Sequence, residues 1–201
     1  MTPPAPEGTR ERLVAAAGLV FARDGFSRAS IRDICEAAGG ANVASVKYHF
    51  GDKTGLYREV VREGIAKMCA RRPQVDPALP AEDRLREWLR QFLTLTLVYR
   101  RNHPYASNVM KQELREPTDM LDTMVREVIQ PMHADLAALL SEIRGGADSR
   151  QQAVIVLSMC ANLENSRPIL ERLGVALPSD PESIATLAGE LTHSVLYGIT
   201  R

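Results

Sequence analysis

Five side chains that can hydrogen-bond to nucleic acid fall within a short segment of this chain. They are Asn42, Ser45, Lys47, Tyr48 and His49. Amide, hydroxyl and cationic groups of this kind reach base edges and phosphate oxygens when a helix presents them to DNA. Val43, Val46 and Phe50 recur at helical spacing through the same segment and predict a stripe that packs inward. The pattern predicts a short helix that fits a DNA major groove, the alternative being an ordinary solvated face.

Three neighbouring residues are further candidates for contacts to the DNA backbone. Lys53 opens the next predicted helix, where its ammonium and the amides of the first turn could together hold a phosphate. Ser30 could cap its helix and touch a phosphate as well, or it could serve as a cap alone. Arg28 is either a backbone contact or a surface charge.

Two local signals position this segment. Ser30 and Asp33 fit a capping box, which marks the start of a short helix with Ile34 on its packing face. Gly39 and Gly40 follow that helix and permit the positive φ angles that end a helix and turn the chain. A helix, a glycine turn and a second helix in this order predict a helix-turn-helix unit.

A specific set of motifs runs through this block. In chain order they are Arg32-Asp33-Ile34-Cys35, Ala38-Gly39, Tyr48-His49-Phe50, and then Lys53, Leu56 and Tyr57. The block resembles the DNA-binding domain of TetR/AcrR-type transcriptional regulators, whose motif runs R-D-I-A-x-x-A-G, then Y-H-F, then K-x-x-L-[YF]. The turn GGANV is about one residue longer than the commonest family pattern, and in this respect it resembles the CecR/CerR branch.

The resemblance implies roles for individual residues. The side chains nearest the groove would be Asn42, Ala44, Ser45 and Lys47. Tyr48 and His49 would lie against the DNA backbone, and Lys53 would meet a phosphate. Which residue between Ala41 and Ser45 faces the bases stays open. The run 103–145, with its H-P, R-E, P-T and V-I-x-P pattern, is similar to the C-terminal regulatory domain of the same branch.

The charge distribution agrees with a DNA-reading head. The formal net charge is +0, which argues against a nonspecific polycation. Residues 1–72 nevertheless hold 12 Lys and Arg against 8 Asp and Glu, whereas residues 73–201 hold 13 against 17. A basic N-terminal third and an acidic remainder suit a head that binds phosphate and a body that avoids it.

Cysteines and the N-terminus indicate a cytoplasmic protein. Cys35, Cys69 and Cys160 are odd in number and show no metal-ligand spacing, so reduced thiols are expected and neither a metal nor a cofactor is predicted. The first residues lack the apolar core of a signal peptide, and no run is long enough to span a membrane.

The remaining pattern predicts an all-α protein of about nine helices. Residues 1–8 are predicted as a disordered arm, 9–52 as the helix-turn-helix domain and 53–72 as a connecting helix. Pro73, Pro77 and Pro80 mark a linker over 73–81, which precedes a ligand-binding and dimerisation domain over 82–201.

Two surfaces are predicted in that C-terminal domain. An apolar cavity with a few polar groups would bind a small molecule, with methionines giving it an adaptable wall. Its candidate residues are His103, Tyr105, Met110, Glu113, Met124, Val128, Met132, Met159, Leu163 and Arg167. The last two helices are expected to form the dimer interface, with candidates Leu157, Ala161, Ile184, Leu187, Ala188, Leu191, Val195 and Gly198.

These features predict a ligand-responsive transcriptional regulator. It would bind a palindromic operator as a homodimer and act as a repressor that a small molecule releases. The alternatives are an activator of the same fold and a helical interaction protein that does not bind DNA. No nucleophile elbow, phosphate loop, zinc signature or paired-carboxylate motif occurs, so an enzyme is not expected.

Overall fold

All regular structure in the described part of the chain is helical. The structure, a computed structural model, describes residues 8–100 and 104–197, without the side chains of residues 104–109. The nine helices within those residues are α1 (Thr9–Arg28), α2 (Ile31–Ala37), α3 (Val43–Phe50), α4 (Lys53–Cys69), α5 (Ala81–Leu93, continued by a π-helical turn at Thr94–Tyr99), α6 (Pro104–Arg115), α7 (Met120–Met124, a π-helical turn at Val125–Ile129, then Gln130–Ile143), α8 (Arg150–Arg172) and α9 (Pro181–Tyr197). The predicted all-α class is confirmed.

Chain contacts divide the described residues into two units. The first comprises residues 8–68 and 104–124, and the second comprises 69–100 and 125–197. The sequence prediction placed all of 82–201 in one domain, whereas α6 and the first turn of α7 belong with the N-terminal helices because α6 packs on α1. The predicted linker, 73–81, lies inside the second unit. Residues 1–7 of the predicted arm lie outside the described residues.

The first unit has a core to which each of the first four helices contributes. Leu13 of α1, Ile34 of α2, Val46 of α3 and Leu56 of α4 have no exposed surface. Burying one such side chain stabilises the fold by about 1.5–3 kcal/mol. Phe21 of α1 meets Tyr57 of α4 edge-on, with ring centroids 5.1 Å apart. This core holds the short helix α3 against its support.

Glycines set two turns of the first unit. Gly25 has φ 78° and interrupts α1, after which the chain makes one more turn to Arg28. Gly39 and Gly40 have φ 83° and 79° and carry the chain from α2 to α3, as predicted. A residue with a β-carbon would be strained in these left-handed conformations.

The second unit is built around α5, which packs against α7 and α9. Leu85, Trp88, Leu89 and Phe92 form its buried face. No helix in the described part of the chain is both long enough and apolar enough to cross a bilayer.

The two π-helical turns of this unit have different origins. Pro131 has no N–H, so the Glu127 carbonyl four residues earlier lacks its α-helical donor, and the Cys69 Sγ lies 3.4 Å from that oxygen instead. The turn Thr94–Tyr99 in α5 contains no proline. The Thr94 hydroxyl bonds back to the Arg90 carbonyl and the Thr96 hydroxyl to that of Phe92, contacts of the kind that bend helices.

Candidate nucleic-acid interface

The start of α3 is capped by a candidate DNA-binding residue. The Asn42 side-chain oxygen accepts a 2.8 Å hydrogen bond from the Ala44 amide. This bond satisfies one of the free amides that a helix N-terminus leaves. Because the cap uses only the side-chain oxygen, the exposed Asn42 amide group still offers N–H donors.

The inward face of α3 is narrower than the sequence predicts. Val46 is fully buried and Phe50 is half-buried, but Val43 is 51% exposed. The prediction that Val43 packs inward is therefore wrong. Three helical residues amount to about 300°, which leaves Val43 about 60° around the helix from Val46, at the edge of the packed face.

The side chains predicted to contact DNA lie together on the outward face of α3. Ala44, Lys47, Tyr48 and His49 are exposed and Ser45 is half-buried. Tyr48 is 85% exposed, and its ring meets that of His49 edge-on at 4.9 Å. A large aromatic side chain with so little packing marks a surface available to a partner.

Lys53 has protein partners that the sequence did not indicate. Its ammonium donates to the carbonyls of Phe26 at 2.9 Å and Ala29 at 3.1 Å, with Ser27 O at 3.4 Å, and it lies 4.6 Å from the Phe26 ring centroid. It thereby ties the start of α4 to the end of α1. Phosphate contact by Lys53 stays a prediction and would have to compete with these bonds.

The other two candidates also make local contacts. The Ser30 hydroxyl accepts a 3.1 Å bond from the Asp33 amide, which is half of the predicted capping box. Arg28 is exposed, and its Nε donates to the Asp24 carbonyl at 2.9 Å. Contacts of Ser30 and Arg28 with DNA stay predictions.

A glycine that the sequence analysis missed sets the approach of α4 to α3. A β-carbon at position 55 would lie 2.0 Å from the Phe50 carbonyl oxygen, so only glycine fits there. The Gly55 amide donates to the Asp52 carboxylate at 2.8 Å and completes the cap of α4. A glycine in the first turn of a predicted helix is a signal that could have identified this contact.

Glu113 was predicted to line a ligand cavity but lies in a buried hydrogen-bond network of the first unit. Its side chain has no exposed surface. It accepts bonds from the Tyr57 hydroxyl at 2.5 Å, the Thr118 amide at 3.1 Å and the Thr118 hydroxyl at 3.0 Å. Burial, and after it the bond to Glu113, raises the pKa of Tyr57 well above its usual value. Glu113 is thus a structural link, because its oxygens are already bonded.

The other predicted pocket residues are distributed over both units. Met110 and Met124 belong to the first unit, and five others belong to the second: Val128, Met132, Met159, Leu163 and Arg167. Met124, Val128 and Met132 are core residues, Met159 is 52% exposed, and Arg167 is paired with Glu164 at 2.6 Å. His103 and the Tyr105 side chain lie outside the described residues. The pocket as a whole stays a prediction.

The predicted dimer residues divide into a core group and a surface group. Ile184 and Ala188 are buried within the second unit, where α9 packs on α5, so in a folded chain they are core residues and cannot form an interface. The half-buried members are Leu157, Ala161, Leu187, Leu191 and Val195, and Gly198 lies outside the described residues.

A more exposed apolar stripe on α8 and just beyond it was missed. It consists of Val154, Ile155, Met159, Ile169 and Leu173, each at least 52% exposed. Ile155, Met159, Ile169 and Leu173 recur at spacings of four, ten and four residues, which a search for heptad positions would have detected.

Two families of known proteins match this chain. Residues 13–60 match the family described as "Bacterial regulatory proteins, tetR family". Residues 81–199 match the family described as "HTH-type transcriptional dual regulator CecR, C-terminal domain". The first match covers the helix-turn-helix, and the second covers more than half of the chain.

Individual proteins are similar over part or all of the chain. It is 27% identical over 124 residues to "Probable HTH-type transcriptional regulator YttP" of Bacillus subtilis, covering 60% of this chain and 56% of that protein. It is 35% identical over 64 residues to "HTH-type transcriptional repressor AcnR" of Corynebacterium glutamicum, covering 32% and 34%. The chain therefore spans about half and about a third of the length of these relatives. The fold is similar to that of the TetR family regulator PfmR from Thermus thermophilus, with a TM-score of 0.71, 18% identity, and coverage of 97% and 99%.

Proposed function

Because the chain belongs to the TetR family of transcriptional regulators and carries a C-terminal domain of the CecR type, we propose that it represses transcription as a homodimer on a palindromic operator. A small molecule bound by the C-terminal helices would release it from DNA. The relative AcnR is named a transcriptional repressor, which supports repression as the proposed effect on transcription.

The observation that carries the DNA-binding part of the proposal is the outward face of α3. A helix with Val46 buried on one side and an 85% exposed Tyr48 beside exposed Lys47 on the other is built to meet a partner. Lys47 supplies a cation for phosphate or guanine, and Asn42 supplies amide donors for base edges. Contacts of this type in a major groove read sequence.

A dimer is required because one short helix makes few base contacts. Two-fold symmetry doubles them on a palindrome whose half-sites lie about 34–36 Å apart, or a multiple of that. The exposed stripe on α8 is the surface that we assign to the partner chain, together with the half-buried dimer candidates of α9. Apolar area of this kind on a single helix is typical of protein interfaces.

Release requires a ligand that prefers the DNA-incompetent arrangement, since equal affinity for both arrangements shifts nothing. A coupling of about 1–3 kcal/mol between ligand and DNA is ordinary for such proteins. The Tyr57–Glu113 bond supports a route, because it links α4 to the last turn of α6. Lys53, at the start of the same helix, holds the end of α1.

Activation is the second candidate function. The family that matches residues 81–199 takes its description from a transcriptional dual regulator, CecR. A member of this family can therefore both repress and activate transcription. The operator's position relative to the promoter would decide between repression and activation.

The test is a mobility-shift titration with the DNA upstream of the protein's own gene. We expect Lys47→Ala and Tyr48→Ala to weaken binding about tenfold or more, and Lys47→Ala to reduce its salt dependence. Lys67→Ala is the matched control, because it also removes one lysine charge but at the far end of α4. Lys67 lies about 21 Å along the helix axis from Lys53, the residue at which α4 begins next to α3. Unchanged affinity in both α3 variants would refute the assignment of α3 as the reading helix.

A further inference from the structure

A cleft of about 320 Å³ lies between α5 and α7 in the second unit. Trp88 of α5 and Leu139 of α7 line it and are both buried. The segment 72–75, which follows α4, lines it as well. A volume of this size accommodates a small organic molecule. None of the residues that line this cleft is among those predicted for the ligand pocket.

Trp88 brings a buried hydrogen-bond donor to the cleft. Its side chain is 1% exposed, and its Nε1 has no hydrogen-bond partner among the described residues. The indole nitrogen can only donate, and buried tryptophans usually pair it with an acceptor. A buried donor without an acceptor destabilises the fold. The indole N–H therefore calls for an acceptor that the described side chains and backbone do not supply.

The charged side chains of the cleft are paired with one another. Arg72 makes a bidentate pair with Asp135 at 2.7 and 2.5 Å. Arg84 pairs with Glu142 and also donates to the Leu79 carbonyl at 3.1 Å. These two cations and two anions are the charged residues of the lining, so it carries no net charge. Such a lining favours an uncharged ligand over an anion or a cation.

One wall of the cleft is fixed to α5 by Gln91. The Gln91 side-chain oxygen accepts a hydrogen bond from the Gln74 amide at 2.8 Å, and its side-chain nitrogen donates to the Gln74 carbonyl at 2.7 Å. Pro73 beside it is buried, and Val75 is half-buried. This segment is thus held at two points, and a ligand need not order it on binding, which lowers the entropic cost of association.

We infer that this cleft binds uncharged organic molecules in which a carbonyl oxygen is attached to an apolar body. The oxygen accepts a hydrogen bond from Trp88 Nε1, and Val75 and Leu139 contact the apolar body. A carbonyl oxygen has two lone pairs and no net charge, which matches a single donor in an electrically balanced site. The inference concerns the free protein and does not depend on operator binding.

The experiment uses the one tryptophan of the chain, because its indole N–H gives a single signal in ¹H–¹⁵N NMR spectra of the labelled full-length protein. The probes are cyclooctanone and acetophenone. Their comparators are cyclooctane and ethylbenzene, in which a CH₂ group replaces the carbonyl. We expect at least one ketone to bind and to move the indole proton downfield, as a new hydrogen bond does. Its hydrocarbon should bind about tenfold more weakly and cause no such shift.

Two exposed alanines of α7 locate the site. Ala138 lines the cleft, so Ala138→Leu should fill part of it and weaken ketone binding about tenfold or more in calorimetric titrations. Ala134→Leu adds the same side chain about one helical turn away and outside the cleft, so it is the matched control and should bind like wild type.

A second pair of variants tests the hydrogen bond itself. Trp88→Phe keeps an aromatic ring but removes the N–H, and it should bind the ketone no better than the hydrocarbon. Tyr197→Phe removes an aromatic donor that bonds to Glu82 elsewhere in the second unit, and it should keep the preference for the ketone.

Four outcomes would overturn the inference. They are that neither ketone binds, that the hydrocarbons bind as tightly, that a bound ketone leaves the indole signal unmoved, and that Ala138→Leu or Trp88→Phe binds like wild type. An unmoved signal would mean that water, and not a ligand, meets the Trp88 donor. Operator binding is measured separately in the mobility shift, so either result can fail without the other.

Discussion

The Tyr57 hydroxyl donates a 2.5 Å hydrogen bond to the Glu113 carboxylate, although the two residues are 56 positions apart in the chain. Both side chains are buried, at 1% and 0% exposure. A buried carboxylate is tolerated only where donors replace water, and here one donor comes from α4 and two come from Thr118. The bond therefore makes the position of α4 depend on that of the 113–118 segment.

Replacing Tyr57 by phenylalanine removes one hydroxyl and leaves the ring in place. The Glu113 carboxylate then loses a donor that water cannot easily replace. We expect the free energy of unfolding to fall by about 1.5–3 kcal/mol in urea titrations. Tyr48→Phe removes the same group from an 85% exposed side chain and should change it by less than about 0.5 kcal/mol. Equal stability of the two variants would show that the buried bond contributes nothing.

Two glycines of α4 should respond in opposite directions to alanine. A β-carbon at Gly55 would overlap the Phe50 carbonyl oxygen at 2.0 Å, whereas one at Gly64 would meet nothing within 4 Å. Gly55→Ala must displace α4 from α3 and should destabilise the first unit by about 1–3 kcal/mol. Gly64→Ala should stabilise it by about 0.5–1 kcal/mol, because alanine favours the helix. Thermal unfolding of both variants against wild type measures the contrast, and a stable Gly55→Ala variant would contradict it.

The helix-turn-helix could be predicted from the sequence because its signals are local. The Ser30 cap, the positive φ angles of Gly39 and Gly40 and the Asn42 start each depend on a few neighbouring residues. The outward position of Tyr48 follows from helical periodicity once Val46 is placed inside.

What could not be predicted depends on partners distant in sequence. Nothing near Glu113 indicates that Tyr57 will bond to it, and nothing near Lys53 indicates that its ammonium will hold the end of α1. Ile184 and Ala188 show a related limit. An apolar stripe looks the same whether it packs on α5 of its own chain or on a second copy, so periodicity alone could not tell core from interface.

Lys53 should matter for stability as well as for DNA. Lys53→Met keeps the length of the side chain but removes its bonds to the carbonyls of Phe26 and Ala29. We expect the free energy of unfolding to fall by about 1–3 kcal/mol. Lys67→Met, which breaks an i,i+4 pair with Glu63, should cost less than about 0.5 kcal/mol. If Lys53→Met unfolds like wild type, any loss of DNA affinity in that variant would belong to a phosphate contact alone.

The proposed dimer depends on the exposed stripe of α8. Ile169→Glu places a charge at a position that is 63% exposed in the single chain and would be desolvated in the dimer. Sedimentation velocity should show the dimer weakened about tenfold or more. Leu114→Glu, at a 64% exposed position of α6, is the matched control and should leave the dimer intact. A dimer that resists Ile169→Glu but not Leu114→Glu would move the interface to the first unit.

Cys160 should make the protein less stable in alkali. Burial raises the pKa of its thiol from 9.0 to about 12. Between these two values the unfolded chain has lost a proton that the folded chain retains, so stability falls as pH rises. The contribution is fully present below about pH 9, and by pH 10 about 1 kcal/mol of it should be lost. Urea unfolding of wild type and Cys160→Ala at pH 8 and pH 10 isolates it, because every other group titrates alike in the two proteins. Wild type should lose more stability over that interval than the variant, and equal losses would mean that the thiol is solvated in the folded state.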